Sequence, residues 1–436
     1  MSQTLIEFLK DKNILLVGFG REGRSTLNYI RRYMPDARLT IADKNPVETD
    51  DPNIRLITGA GYLDGVNGFD LIIKSPGVSF RGVGLDPGVT VTCQTDLFLR
   101  FAPCVKAGVT GTKGKTTTST LIYGILQAAE MPSCLIGNMG LPVLDAMDGC
   151  EGQVAVIELS SHQLEFTRCS PHVAVFTNLY EEHLDHYDGF RGYANAKWNI
   201  AAHQSERDFF IYNRDQDLSG IYDFGGALAQ KIPVSTMDGE KSDFLRTLAG
   251  ANPKLIGEHN RYDVFYAAAA AKCLGVTEDK ILQGVKNFGG IEHRMEFAGT
   301  FSGIKFYNDC IATIPKAVIC AVEALNDVDT LIFGGMDRGL DYADFCESLE
   351  NSSVRNLIGL PETGHAICSG LETGGSAKNL IKAKDMRDAV NAAFELTEKG
   401  KSCLLSPAAA SYNDYRDFDE KGNHYKQLVR NWETTR

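Results

Sequence analysis

The stretch Gly111-Thr112-Lys113-Gly114-Lys115-Thr116-Thr117-Thr118 limits what this chain can fold into more than any other. It follows a short apolar segment, 105–109, and opens an amphipathic run, 121–129. A glycine-rich turn between strand and helix frees backbone N–H groups to wrap a polyphosphate, and the helix N-terminus adds partial positive charge. Lys115 adds a full charge, and the Thr116 hydroxyl can hold Mg²⁺. The usual Walker spacing would put glycine where Val109 stands, so this is a variant loop, G-T-x-G-K-T-T. Helix capping explains Gly and Thr at a helix start, but not two lysines flanking a glycine. The expectation is a strand–loop–helix unit of an α/β sheet that binds ATP or GTP.

A second glycine turn lies upstream. Residues 13–18 read as a buried strand, Gly18-Phe-Gly20-Arg21-Glu-Gly23 as a tight turn, 25–33 as a helix, and 38–42 as a strand ending in Asp43. An acidic residue about 20 positions after such glycines is the Rossmann fingerprint. By itself the turn fits a dinucleotide, another nucleotide, or tight packing alone. The pattern continues through 54–58 and 70–74 to Ser75-Pro76-Gly77 and closes near 89–92, too short for a full dinucleotide fold. Half a Rossmann unit suits one nucleotide moiety better than two.

At 436 residues the chain has material for two to four domains. A net charge of −12 argues against general attraction to nucleic acid or anionic membrane, so an anionic ligand needs a local cationic site. No apolar run approaches a membrane span, and the N-terminus lacks a basic flank and signal core. The 11 cysteines are dispersed, odd in number and without a C-x-x-C pair, which argues against a disulfide framework or zinc site and fits a cytoplasmic protein.

In the middle of the chain, 153–158 and 172–177 are Val- and Ile-rich runs typical of parallel core strands. Their polar ends place Glu158-Leu-Ser160-Ser161 and Asn178 at the carboxyl edge of a sheet, where ligands of open α/β folds collect. Glu158 suits either Mg²⁺ ligation or capping of the next turn. Tyr180-Glu-Glu-His183-Leu-Asp185-His186 reads as a metal-binding turn or a solvated acidic one. Imidazole is an uncommon Mg²⁺ ligand, so His183 serves equally well as an orienting group. A closely packed helix is expected over 262–274. From about residue 291 a third α/β pattern begins, with strands at 304–308, 330–334, 356–359 and 402–406 and helices near 315–325 and 385–398. The resulting division is 1–93, 94–290 and 291–436.

Taken in order, Gly111–Thr117, Gly137-Asn-Met-Gly140, Glu158–Ser161, Glu182-His183-Leu-Asp185, Ala196-Lys197, Gly257-Glu-His-Asn260, His293-Arg-Met-Glu296 and Asn308-Asp309 resemble the motifs of the Mur ligases of bacterial peptidoglycan synthesis. The short N-terminal domain, and Ser406-Pro-Ala-Ala-Ala-Ser411 followed by Phe418 and Gly422, resemble the members that add glutamate to UDP-N-acetylmuramoyl-L-alanine. The resemblance implies three α/β domains: a Rossmann-like one for the UDP-linked substrate, a central ATPase with a mostly parallel sheet, and a Rossmann-like one for the amino acid. It implies that ATP converts the substrate carboxylate to an acyl phosphate, which the amino group then attacks. A folylpolyglutamate-synthase-like ligase shares the phosphate loop but normally lacks a domain like 13–92.

Residue roles follow from the same resemblance. Gly111, Thr112, Lys113, Gly114, Lys115, Thr116 and Thr117 would cradle ATP, with Asn260 at the adenine and Arg294 and Asp309 also on the nucleotide. Thr116, Glu158 and His183 would serve two Mg²⁺ sites, and Lys197 would be carbamylated by CO₂ to become a metal ligand. Lys115, Glu158, His183 and Lys197 are the expected catalytic set. Gly18, Gly20, Arg21 and Gly23 would receive the UDP diphosphate, with Asp43, Ser75, Gly77, Asn138 and Ser160 along the same substrate. Thr313, Arg338, Ser411 and Phe418 would meet the amino acid. The chain departs from the family at Asn308-Asp309-Cys310-Ile311-Ala312-Thr313-Ile314, where the glutamate-adding members read Asn-Asp-Ser-Lys-Ala-Thr-Asn. Ile311 thus stands in place of a lysine, and Arg338 falls near the position of a second one, able to grip a carboxylate with two parallel hydrogen bonds. The expected partners are UDP-N-acetylmuramoyl-L-alanine and glutamate, D ahead of L or another acidic residue, with no nucleic acid or membrane and the protein as a monomer.

Overall fold

The computed structural model describes residues 4–138, 141–182, 186–222, 228–255 and 257–432. It is an α/β protein of three mostly parallel sheets, divided into two compact units, Met1–Gly289 and Gly290–Arg436.

The first unit holds two sheets. One comprises β1 (Ile14–Val17), β2 (Leu39–Asp43), β3 (Ile54–Thr58), β4 (Leu71–Lys74) and β5 (Thr90–Thr92), all parallel, in the order β3-β2-β1-β4-β5. β1 and β4 are buried along their whole length, which is why they read as unbroken apolar runs rather than alternating ones. The other sheet comprises β6 (Val105–Thr110), β7 (Ser133–Gly137), β8 (Val154–Glu158), β9 (Val173–Phe176), β10 (Phe209–Asn213) and β11 (Gln230–Val234), parallel throughout, in the order β11-β10-β9-β6-β8-β7. The two sheets share a continuous core in which Leu97, Phe98, Leu144 and Met147 join Leu16 and Ile30. Gln94 Nε2 donates to Ser25 Oγ at 2.9 Å, and Ser25 Oγ donates to Asp145 at 2.6 Å, tying the glycine-turn helix to the second sheet's layer.

The second unit carries β12 (Glu296–Phe301), β13 (Ile304–Asn308), β14 (Val328–Phe333), β15 (Asn356–Gly359), β16 (Asn379–Lys382) and β17 (Ser402–Leu405), in the order β12-β13-β17-β14-β15-β16. Only β12 runs antiparallel.

The strands β13 and β15 and the helix Pro315–Leu325 fall where the sequence places them, while β14 starts two residues earlier than expected, at Val328. The strands that the sequence does not reveal are mostly edges: β7, β11, β12 and β16. An edge strand has one neighbour and a wetter face, so it tolerates Pro233 in β11 and the bulge between Phe297 and Gly299 in β12. β10 is internal but aromatic (Phe-Phe-Ile-Tyr-Asn) rather than Val/Ile-rich. Among the described residues no helix is long and apolar enough to cross a membrane.

Candidate functional site

The parallel register of the second sheet assembles the site. Val109 of β6 pairs with Glu158 of β8, and Thr110 pairs with Phe176 of β9. The phosphate loop, the Glu158 carboxylate and the Thr177-Asn178 turn therefore leave the sheet at one edge. The loop is tied to its neighbours by several hydrogen bonds. Thr112 N donates to Asn178 O at 2.9 Å, Lys113 N to Asn178 Oδ1 at 2.8 Å, and Thr177 Oγ1 to Lys113 O at 2.6 Å. Gly111 has a φ of +149°, and a Cβ there would sit 1.9 Å from Thr177 Oγ1, so no other residue fits. Helix Lys115–Ala128 then begins, with its N-terminal amides facing the loop.

Three charged side chains converge on this loop. Lys115 Nζ folds back to donate to the carbonyls of Gly111 and Thr112 at 3.0 and 2.9 Å. Lys197, on helix Gly189–Ala202, is only 2% exposed and donates to the same Gly111 O at 2.7 Å. Its burial, then the Lys115 charge, hold its pKa well below the ordinary lysine value. Without the family resemblance Lys197 would read as a surface lysine on its helix; in the fold it is a core residue aimed at the loop. Glu158 is 1% exposed; its Oε1 accepts from Asn138 Nδ2 at 2.7 Å, while its Oε2 is buried without a hydrogen-bond partner among the described residues.

An ionised carboxylate oxygen left bare in a protein interior is costly unless a cation meets it. With the Thr116 hydroxyl one residue after Lys115, the available donors are hard oxygens, the set Mg²⁺ takes when substrate phosphates and water complete its shell. Glu158 does not cap the following turn. Ser160 does, accepting from Gln163 N at 3.2 Å and donating to Gln163 Oε1 at 3.2 Å, so this expected substrate contact is engaged by its own helix. His183 and Asp185 lie outside the described residues. Lys113 pairs with Glu182, and Asn260 stands in the first turn of helix Glu258–Cys273.

At the carboxyl edge of the first sheet a cavity of about 440 Å³ is lined by Gly18, Gly20, Arg21, Asp43, Ser75 and Gly77, together with Glu22, Lys44, Asn45 and Tyr62. Six of the seven residues expected in this domain for the UDP-linked substrate thus share one wall, in a volume typical of small-molecule sites. Gly23 is the correction. It is not part of that wall; a Cβ there would lie 2.2 Å from Gly18 O, so its work is close helix–strand packing. Asp43 also braces the turn, accepting from Phe19 N at 2.6 Å and Asn45 N at 2.8 Å.

Arg21, Asn138 and Glu158 join this cavity to the phosphate loop, and sequence reasoning missed the buried or half-buried polar side chains beside them, Glu22, Gln163, Lys74 and Glu165. Glu22 Oε1 accepts from Gln163 Nε2 at 2.8 Å, its Oε2 is buried and has no hydrogen-bond partner among the described residues, and burial raises its pKa. Arg21 Nη2 reaches Asn138 O at 3.4 Å, and Asn138 in turn holds Glu158. Lys74, fully buried, pairs with Glu165 at 2.9 Å, which also meets His186 at 3.2 Å. A buried lysine just before Ser75-Pro76-Gly77 was the one available signal.

In the second unit, the loops after β13, β14 and β17 meet at the carboxyl edge. Ala408 N donates to Ala312 O at 2.9 Å, and Met336 N to Ala410 O at 2.8 Å. Asp309 is buried, accepting from Ser406 Oγ at 2.8 Å and Met295 N at 3.1 Å, and burial pushes its pKa up to about 6. Arg294 sits between His293 and Met295, both at positive φ. Thr313 is half-buried beside Ile311, and Arg338 is exposed on the loop after β14. The Ser411 hydroxyl is buried without a partner among the described residues, and Phe418 is half-buried with its ring 6.1 Å from that of His293.

A phosphate loop with a buried carboxylate and buried lysine, beside a second nucleotide-sized cavity in the same unit, defines an enzyme of phosphoryl transfer. Comparison with known proteins narrows the class. Residues 109–271 match the "Mur ligase middle domain" and residues 293–409 the "Mur ligase, glutamate ligase domain". Proteins named UDP-N-acetylmuramoylalanine--D-glutamate ligase are 32% identical to the chain in Ligilactobacillus salivarius, over 98% of this chain and 97% of that protein, and 32% identical in Listeria innocua, over 97% of each. Among solved structures, a MurC ligase and an ADP-bound MurF ligase, both of Thermotoga maritima, share the fold. Their TM-scores are 0.55 and 0.54 and their identities 16% and 14%; the alignments cover 98% and 96% of this chain and 100% and 95% of theirs. The chain belongs to the Mur ligase family, the ATP- and Mg²⁺-using amide ligases of peptidoglycan precursor synthesis.

Proposed function

We propose that this protein joins D-glutamate to UDP-N-acetylmuramoyl-L-alanine in the cytoplasm, acting as a monomer and releasing ADP and phosphate. The names of the full-length relatives support the substrates. The observation that carries the chemistry is the bare Glu158 oxygen and the buried Lys197 at the phosphate loop, linked through Asn138 and Arg21 to the cavity at Gly18. Residues 1–93 would take the UDP-linked substrate, 94–290 ATP, and 291–436 the amino acid.

A carboxylate is a poor electrophile, and phosphorylation gives it a leaving group. The substrate carboxylate attacks the γ-phosphorus of ATP, the bond to the ADP oxygen breaks, and an acyl phosphate forms. The glutamate amine then adds to the acyl carbon, loses a proton, and phosphate departs. The protein's part is to position the reactants and stabilise charge on the transferring group. The Gly111–Thr117 amides and Lys115 hold the phosphates, Asn260 the adenine, and Arg294 and Asp309 other parts of the nucleotide. Thr116 and Glu158, with His183, would hold Mg²⁺, which when bound neutralises phosphate charge.

Lys197 is suited to carbamylation. Burial favours its neutral amine, which can form an N–C bond to CO₂ with loss of a proton. A carbamate would replace a buried cation beside Lys115 with oxygen donors. Arg338, Ser411, Phe418 and Thr313 would receive glutamate.

Ile311, an alkyl group where the glutamate-adding members carry lysine, favours one second reading: the same chemistry with L-glutamate. Phosphate release by purified protein given ATP, UDP-N-acetylmuramoyl-L-alanine and each glutamate enantiomer decides between them. Turnover with the L form alone overturns the D-glutamate assignment.

A further inference from the structure

The second unit contains a buried cation that its own fold does not neutralise. Lys421, on helix Phe418–Asn431, is 2% exposed. Its Nζ donates to Gly334 O at 2.8 Å, its one hydrogen-bond acceptor among the described residues. An ammonium has three donors, so two are left unmet, and burying such a charge without a partner is costly. Burial accordingly lowers its pKa. The neighbouring Cys310 thiol is no counter-ion, because its own burial pushes it up to about 12 and keeps it neutral. Asp414 acts on Lys421 only from an exposed position.

The place of this ammonium is specific. A Cβ on Gly335 would lie 2.2 Å from Ala410 O and 3.3 Å from Lys421 Nζ, so the ammonium sits where the β14 and β17 loops touch. The next residue after Ala410 is Ser411, which is 3% exposed and whose hydroxyl has no partner among the described residues. The loop that starts at Gly334 also carries Arg338. Unmet ammonium donors close to Gly335, which touches Ala410, and the unmet hydroxyl of the residue after Ala410 therefore both lie at the carboxyl edge of an open α/β sheet, where ligands of such sheets bind.

We propose that Lys421, together with the Ser411 hydroxyl, holds a carboxylate of the incoming amino acid and supplies the cation that position 311 lacks. The proposal rests on the reading of this unit as the amino-acid domain of a glutamate ligase. It makes Lys421 a specificity-determining residue. An acidic amino acid completes the buried charge, whereas a neutral one leaves it bare.

The test is steady-state phosphate release with glutamate, ATP or the UDP-linked substrate varied in turn. Lys421→Met keeps the volume and removes the charge, and it should raise the KM for glutamate about 10- to 100-fold, the range for a lost charge-assisted hydrogen bond. The KM values for ATP and UDP-substrate should stay within about twofold, and kcat at saturating glutamate within about threefold. Lys421→Arg, which restores a cation, should recover most of the glutamate affinity. Should the Met variant not fold, Lys421→Gln makes the same comparison while retaining a donor to Gly334 O. An unchanged glutamate KM, or a loss spread equally over all three substrates, overturns the role of Lys421. Wild-type protein that releases no phosphate with either glutamate enantiomer overturns the ligase reading itself, and the proposal with it.

Discussion

Replacing Asp309 by asparagine should make the second unit more stable and the enzyme less able to bind nucleotide. Asp309 is buried, and its two oxygens accept from Ser406 Oγ and Met295 N. In Asp309→Asn the amide oxygen can still accept from Met295 N, and the amide nitrogen can donate to the serine oxygen. Both hydrogen bonds survive; only the charge is lost.

The folded carboxyl has its pKa raised from 3.8 to about 6, first by burial. Well below pH 3.8 the group is protonated in both states, so wild type and variant should be equally stable. Between pH 4 and 6 the native state holds a proton that the unfolded state has lost, so wild-type stability falls as pH rises. Above pH 6 the full penalty applies. It amounts to about 3 kcal/mol, because a tenfold change in proton affinity between the folded and unfolded states is worth about 1.4 kcal/mol.

Urea unfolding at pH 3, 4, 5, 6 and 8 measures this, with Trp432 fluorescence reporting the second unit in a Trp198→Phe background. The variant's advantage should grow from near zero to about 3 kcal/mol and then level off. A destabilised variant at pH 8, or an advantage independent of pH, would refute the reasoning. The same protein should bind ADP more weakly, which calorimetry reads directly.

Three further outcomes follow from the phosphate-loop site. Lys197→Ala should lose most activity yet remain folded, and short-chain carboxylic acids should restore part of it by supplying the missing carboxylate; a folded variant with no such rescue speaks against a carbamate. Glu158→Gln keeps an oxygen for Asn138 but cannot offer a charged donor, so the Mg²⁺ needed for half-maximal rate should rise and kcat fall about 100-fold or more, checked by Mg²⁺ titration. Gly111→Ala places a methyl 1.9 Å from Thr177 Oγ1 at a φ of +149°; ADP should no longer stabilise this variant in thermal unfolding, and undiminished stabilisation would show that the loop tolerates a side chain.

Both glycine turns were legible because their chemistry is local. Gly111–Thr118 and Gly18–Gly23 each need particular residues within one turn, between a strand and a helix start. The core strands β1, β4, β8 and β9 were legible because complete burial demands unbroken Val, Ile and Leu. The edge strands β7, β11, β12 and β16 escaped because half-exposure relaxes that demand. Glu22 and Gln163 escaped for another reason: they meet across 141 residues of chain, and neither is unusual in its own neighbourhood.

The sequence by itself determined that two anion-binding turns exist and in what order they come, since a backbone cradle is a short-range object. Only the tertiary structure decided which side chains serve them. Parallel register brought Glu158 to the edge from which the phosphate loop departs, and burial turned Lys197 inward to Gly111. In the second unit, burial at the junction of two loops set the Lys421 ammonium at Gly334 without a counter-charge. A side chain's protonation and unmet hydrogen bonds depend on what surrounds it in space, and that is settled by packing between residues far apart in the chain.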